Sequence, residues 1–434
     1  MRMTLRNSCF IFILALILFS VSAEVQSSQR DLESADSLFK AGKFAEAEKL
    51  YSKVLAEDPK NYQAAVRLGN IALLANRLDE AQKWLTRAIE LKPDERSPKA
   101  LLAEVYYRQD DFGRAAPLFA AAGKEAKAKK LESFKDTVPY QIEGNAQVSH
   151  LKFVHTDPLP LVQVKVNGSE EVNFIIDTGG GEVIIDTEFA KKVGAAEFGA
   201  TQWTFGGDQK ADMGEGRVDS LTLGDFVVKN VPVNILSTRR FAAAARGKQV
   251  DGIIGTVLLY HFISTMDYAN GELILRRRTK ENLKQIEQQA EAEKQIIIPF
   301  WLVGDHLMVA WGRVNKSQSV LLYVDTGAAG VGFTGPQSIL DEAGIKLSGG
   351  QEIEGIGGGG TVKAIPFVVD ELSLGKAKER NIIGVFGAFP ASLEHWNGFR
   401  IAGIISHQFF RPYALTLDFT GMRLFLKRRE VLKG

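Results

Sequence analysis

The chain has one cysteine in 434 residues, Cys9, so it can form neither an internal disulfide nor a multi-cysteine metal site. Its six histidines (His150, His155, His261, His306, His395, His407) show no metal-ligand spacing such as H-E-x-x-H. No G-x-S-x-G elbow and no G-x-x-x-x-G-K-[ST] loop occurs, so the familiar serine-hydrolase and nucleoside-triphosphate signatures are missing. Charge bias is missing as well. A formal net charge of +1 argues against nucleic acid or a polybasic membrane surface as the main partner. Neither a metal nor a cofactor is expected.

The N-terminus is the one strongly apolar stretch. Met1 to Ala23 carries Arg2 and Arg6, an apolar run from Cys9 to Phe19, and then Val21, Ser22 and Ala23. That is the layout of a secretory signal peptide with a small-residue cleavage site. An uncleaved N-terminal anchor is the alternative, disfavoured by the short apolar run. Cleavage after Ala23 would leave a cysteine-free chain, which fits export to a bacterial periplasm or medium better than a disulfide-stapled module.

Residues 31–132 read as helical repeats. Phe44, Ala47, Tyr51, Leu55 and Pro59 recur 34 residues on as Leu78, Ala81, Leu85, Ile89 and Pro93. A third copy keeps Phe112, Ala115 and Phe119 and then decays to Gly123 and Lys127. The 34-residue period with small alanines and large apolar positions resembles tetratricopeptide repeats. Small residues let paired helices approach, and the prolines end each second helix. Two uses stay open: a groove that binds a partner protein or feeds substrate onward, or a packing module.

The second half of the chain repeats itself. Phe174 to Ile185 reads FIIDTGGGEVII, and Leu321 to Thr334 reads LLYVDTGAAGVGFT. Each is an apolar strand running into Asp-Thr-Gly. Downstream, Asp251 to Leu275 aligns without a gap on Ala402 to Leu426, placing Gly252 on Gly403, Ile253-Ile254 on Ile404-Ile405 and Asp267 on Asp418. Between them, Leu221 to Gly224 (LTLG) matches Leu372 to Gly375 (LSLG). This is an internal duplication.

The duplicated pattern resembles the aspartic peptidases of the pepsin and retropepsin type, over roughly residues 138–430. The resemblance implies two β-rich lobes, each supplying one Asp-Thr-Gly loop, and a polypeptide substrate. Asp177 and Asp325 would be the catalytic pair. Thr178, Gly179, Thr326 and Gly327 would support the two loops, the threonines bracing across to the opposite lobe. Two departures stand out. Gly180 follows the first motif where the family more often has Ser, Thr or Ala, which is expected to loosen that loop. Ser406 stands where the first lobe has Gly255, so its side chain is expected to crowd the loop carrying Asp325.

Each lobe should also supply a hairpin over the cleft. In the second lobe this is Glu354 to Thr361, with Gly355, Gly357 and Gly358. The string also satisfies G-x-G-x-x-G, but β-like residues and Pro366 follow it where a dinucleotide site needs a helix. In the first lobe the counterpart is Phe205 to Glu215, with Gly206, Gly207 and Gly214. Trp203 nearby could line a subsite or simply pack. Asn167-Gly168-Ser169 and Asn315-Lys316-Ser317 match a glycosylation acceptor and are read as turns.

The expected layout is multidomain: a signal peptide at 1–23, an α-helical tetratricopeptide-like array at 31–132, then an all-β bilobal acid-protease fold. Its lobes are 138–278 and 296–431, joined by a charged linker at 279–295 that is expected to be a solvated helix. The expected function is an aspartic endopeptidase. The alternative is a catalytically silent peptide-binding scaffold of the same fold.

Overall fold

A computed structural model of the chain describes residues 28–304, 306–347 and 351–428. The expected signal peptide lies outside the described residues. Among the described residues no helix is long and apolar enough to cross a membrane.

Seven helices come first: α1 (28–40), α2 (Phe44–Glu57), α3 (Tyr62–Leu74), α4 (Leu78–Leu91), α5 (Arg96–Arg108), α6 (Phe112–Ala121) and α7 (Glu125–Glu132). In α4 the buried residues are Ala81, Leu85 and Ala88, the 3–4 spacing of one helix face. Helices α2 and α4 stop two residues short of Pro59 and Pro93. The 34-residue period also sets the turns. Gly42, Asn76 and Asp110 all adopt positive φ (75, 56 and 58°) and end α1, α3 and α5. After each, the next amide bonds back to the helix, as in Arg77 N–H to Ala72 O at 2.8 Å, a Schellman-type stop.

Those three turns face the β region. Gly42 lies against Leu321 and Trp311. The Asn76 amide donates to Tyr260 Oη and Phe419 O, both at 3.2 Å. The Asp110 carboxylate meets His261 Nε2 at 3.1 Å. A buried Arg108 donates to Leu73 O at 2.8 Å within the array and to Gly304 O at 3.2 Å across the boundary.

The duplication is visible strand by strand. In the first lobe Val172–Ile176 pairs in parallel with Gly252–Ile254, and in the second Val320–Val324 pairs in parallel with Gly403–Ile405. Val183–Ile185 and Phe333–Thr334 then lie antiparallel to those same partners and parallel to Phe226–Ile235 and Ala377–Phe386. Each lobe is an eight-stranded sheet. Even the two Asn-x-Ser turns correspond, because Asn167 and Asn315 both have positive φ and accept backbone amides, from Ser220 and Glu371 respectively, at 3.0 Å.

A six-stranded sheet joins the lobes. At its centre Phe262–Asp267 runs antiparallel to Tyr413–Asp418, and every residue of both strands is buried. Thr265 faces Thr416, its own counterpart in the duplication, with the hydroxyls 2.8 Å apart. Equivalent residues meet in this way only around a two-fold axis. The segment expected as a solvated linker is a helix, Lys280–Ala292, but it is not fully solvated: Ile286 and Ala290 cover Ile263 and Phe425 on this sheet. Ile296–Pro299 likewise adds to the joining sheet, beside Arg423–Arg428, and not to the second barrel.

The apolar core ignores the boundary between helices and strands. One cluster runs from α3 to α7 through both lobes, and a second joins the first repeats to Val309, Leu321, Phe399 and Ile401 of the second lobe. Phe44 shows the junction well, with the Trp301 and Phe399 rings both 4.9 Å away. Truncation there, Phe44→Ala, is expected to cost about 3–5 kcal/mol. Calorimetry should show helices and lobes melting in one transition; separate transitions would contradict the shared core.

Candidate active site

Asp177 and Asp325 emerge where each lobe's parallel strand pair ends. Asp177 N–H donates to Ile254 O and Asp325 N–H to Ile405 O, both at 3.0 Å. The strands Val172–Ile176 and Val320–Val324 are largely or wholly buried, so each Asp leaves a rigid element. The two carboxyls lie side by side, each against the glycine of the opposite loop. Each also accepts an amide from its own loop, Gly179 N–H to Asp177 Oδ1 at 2.7 Å and Gly327 N–H to Asp325 Oδ1 at 2.6 Å.

The glycines in these loops are required by space. A Cβ on Gly179 would fall on the Asp325 carboxyl, and one on Gly327 would fall on that of Asp177. Any side chain at either position would therefore push the two carboxyls apart. The threonines between them are fully buried. Thr178 N–H donates to Thr326 Oγ1 at 3.1 Å and Thr326 N–H to Thr178 Oγ1 at 3.0 Å. Each hydroxyl in turn donates to the strand before the opposite motif, Thr178 to Val324 O at 3.0 Å and Thr326 to Ile176 O at 3.5 Å. Four bonds thus cross between the lobes within two residues.

The first of the two departures leaves the loop held. Gly180 O accepts from the amide and the hydroxyl of Thr256, at 2.9 and 3.0 Å. At the second departure the expectation was wrong. Ser406 does not crowd the Asp325 loop; its hydroxyl accepts Ala328 N–H at 3.1 Å and so fixes it. The room comes from loop length. Five residues separate Asp177 from Val183, whereas seven separate Asp325 from the equivalent Phe333. In the shorter loop a Cβ on Gly255 would collide with the carbonyls of Gly181 and Glu182. Beside Ser406, buried His407 meets Asp157 at 3.1 Å, and burial pushes its imidazole below the ordinary value. Thr256 and Ser406 were missed as loop holders, although both directly follow or replace the glycine of the apolar-apolar-Gly element.

Both hairpins form. The first runs Ala196–Thr204 into Lys210–Leu223, with Gly206 and Gly207 at its tip. The second runs Ile353–Gly357 into Gly360–Leu374, with Gly358 in the turn and Gly357 just before it. Gly355 and Gly214 lie back in the paired strands, opposite Val362 and Ala200, and not at the tips. The tips touch: Gly358 lies on the Phe205 ring, and Gly207 N–H donates to Ala388 O at 2.9 Å. Asp208 adds a latch, accepting Ser392 Oγ–H at 3.0 Å. Trp203 packs at the edge of an apolar cluster with Met213, Ile184 and Leu236.

Electrostatics follow from enclosure. Burial pushes both carboxyls up from the ordinary Asp value, and the neighbouring charge of Asp177 raises Asp325 further. The pair therefore keeps one proton to higher pH than an ordinary Asp would. Among the described residues no cluster of His, Cys, Asp or Glu is arranged to hold a metal.

This geometry has a family counterpart. A family model described as aspartyl protease matches residues 162–258 and 310–404, one segment around each Asp-Thr-Gly loop. A tetratricopeptide repeat model matches residues 38–105. The chain is thus similar to the aspartyl protease family over two repeated segments, and to tetratricopeptide repeats before them. Among solved structures, a mutant O-GlcNAc transferase of Thermobaculum terrenum is 22% identical over 25% of this chain and 21% of that chain. Its TM-score of 0.23 carries no argument. No curated protein matches the chain.

Two outcomes test the site. Thr178→Val keeps the shape but strands the buried Thr326 amide, and should cost about 1–3 kcal/mol in denaturant unfolding. For Asp325, a folded value above the unfolded one favours folding in acid, and that contribution is lost as pH rises through the folded value. Asp325→Asn should therefore melt higher than wild type near neutral pH, with the gap closing in acid. Equal melting near neutral pH would contradict an enclosed, raised Asp325.

Proposed function

We propose that the chain is an aspartic endopeptidase that hydrolyses peptide bonds with a water activated by Asp177 and Asp325. The observation that carries this reading is the juxtaposition of two part-buried carboxyls, one from each lobe, each so close to the opposite loop that a Cβ on its glycine would overlap it. Peptide hydrolysis without a covalent intermediate needs a base for water and an acid for the carbonyl oxygen. One shared proton supplies both. Ionised Asp177 accepts a proton from the water as it attacks the carbonyl carbon. Protonated Asp325 donates to the carbonyl oxygen, giving a neutral tetrahedral diol. Its collapse returns a proton to the leaving amine and breaks the C–N bond.

Extended polypeptide suits the hairpins. Ala196–Thr204 and Ile353–Gly357 are terminal strands of their sheets, so they have backbone groups free to pair with an extended chain. The contact between the tips must open to admit it, as lids do. Partner docking, in this reading, falls on a groove of about 540 Å³ on the helical array, lined by Leu55, Pro59, Trp84 and Arg87 among others. The N-terminal signal-like segment supports export to a bacterial periplasm. A second reading, a silent peptide-binding scaffold, draws on the closed tips and predicts pepstatin binding without turnover.

The test is cleavage of unfolded casein across pH, with pepstatin as inhibitor. Activity should peak in acid, fall on the acid side as Asp177 takes up a second proton, and fall on the alkaline side as Asp325 loses its own. Asp177→Asn and Asp325→Asn should each lose about 10²–10⁴-fold while staying folded. A flat profile into alkaline pH, or full activity in either variant, would overturn the mechanism.

A further inference from the structure

The catalytic loop of the first lobe is held by the helical repeats, and that of the second lobe is not. Glu182 ends the loop that begins at Asp177 and is buried. Both its oxygens are taken by the helical array. Tyr107 of α5 donates its hydroxyl to Oε1 at 2.6 Å, and Lys130 of α7 donates its ammonium to Oε2 at 2.5 Å. Lys130 is fully buried and also pairs with Glu215 of the first-lobe hairpin. Glu215 is satisfied further by Thr201 Oγ1 at 3.1 Å and Asn234 Nδ2 at 3.2 Å. Burial alone would push the Glu215 carboxyl up; Lys130 and Lys127 outweigh that and hold it below the ordinary value.

The internal duplication supplies a control. Strand register places Gly332 where the first lobe has Glu182, Pro366 where it has Glu215 and Val385 where it has Asn234. The second lobe builds an equivalent loop, two residues longer, and the same sheet with none of these polar groups. At Gly332 even a Cβ would come within 2.5 Å of Ile382. The lobe fold therefore does not require a buried Glu, Glu and Asn. They occur only on the lobe that receives Lys130. Burying three charges costs free energy unless each is paired, so the cluster makes sense only with the array docked.

We propose that Lys130 is a positioning residue for Asp177, acting through Glu182, so that the helical array is a working part of the active site. This rests on the peptidase reading above for its catalytic half, but its structural half does not. Clamped by Thr256 on one side and by Tyr107 and Lys130 on the other, the 177–183 segment holds Asp177 against the Asp325 loop. A displacement of α7 would reach Asp177 through Glu182.

The experiment compares full-length wild type with Lys130→Met and Tyr107→Phe, the latter removing one hydrogen bond while keeping the packing. Phe44→Leu, at the junction of the array with the second lobe, serves as a stability control. Hydrogen exchange of the 178–183 segment should quicken about tenfold or more in Lys130→Met and less in Tyr107→Phe, with 326–332 unchanged in both. Casein turnover should fall about tenfold in kcat in Lys130→Met, with KM within about twofold. Phe44→Leu should keep wild-type kcat despite its lower Tm. If Lys130→Met does not fold, Tyr107→Phe alone decides. Unchanged exchange at 178–183, or altered exchange with unaltered kcat, overturns the positioning role. A wild type that cuts nothing sinks the peptidase reading instead, and the exchange comparison still decides the clamp.

Discussion

Two buried threonines carry the geometry on which the rest depends. Thr178 and Thr326 exchange two hydrogen bonds across the two-fold axis and each donates one more to the opposite lobe's strand, and the carboxyls of Asp177 and Asp325 sit one residue away on each side. Two like-charged groups would otherwise separate, since bringing them together in an enclosed site raises their free energy. The lattice around them resists that separation. The threonines bind each loop to the opposite strand, the glycines leave no side chain between the acids, and the Thr265–Thr416 pair repeats the same two-fold contact in the joining sheet. Loop length then decides which side chains support each loop, Thr256 in the shorter one and Ser406 in the longer.

The helical array is bound into this framework instead of being tethered to it. Its turns at Gly42, Asn76 and Asp110 recur with the repeat, and each meets the β region in a different way: close packing, amide hydrogen bonds and a carboxylate–imidazole contact. Burying Arg108 and Lys130 at the same boundary makes docking specific, because an unpaired charge there would be costly. Both expected uses of the array are compatible with this arrangement. One edge is spent on packing, and the groove beside Trp84 lies on helices α2 and α4, facing elsewhere.

Much of this was legible in the sequence. The 34-residue period, the two Asp-Thr-Gly strands and the gapless alignment of 251–275 on 402–426 are local patterns, and local patterns survive translation into helices, strands and turns. Asp177, Thr178, Gly179, Asp325, Thr326 and Gly327, which the resemblance singles out, lie together where the two lobes meet. What was not legible depends on contacts between distant segments. Ser406 read as a clash because the two-residue difference in loop length was not weighed against it. The 279–295 helix read as solvated because its apolar anchors, Leu283, Ile286 and Ala290, are sparse in a charged run. Lys130 is one of three lysines in a short helix of sequence EAKAKKLE, and nothing local marks it out from the others. Its signal was present in the duplication all along, as the mismatch of Glu182 with Gly332, but only strand register aligns those two positions.

The central claim is that Asp177 and Asp325 behave as one unit holding a single proton. Potentiometric titration of the folded wild type against the Asp177→Asn/Asp325→Asn double variant measures this directly. The account predicts that wild type keeps one extra bound proton at a pH where exposed carboxylates are already ionised, and releases it in a single later step. Two protons lost together at the ordinary carboxylate pH would show two independent acids, and would contradict it.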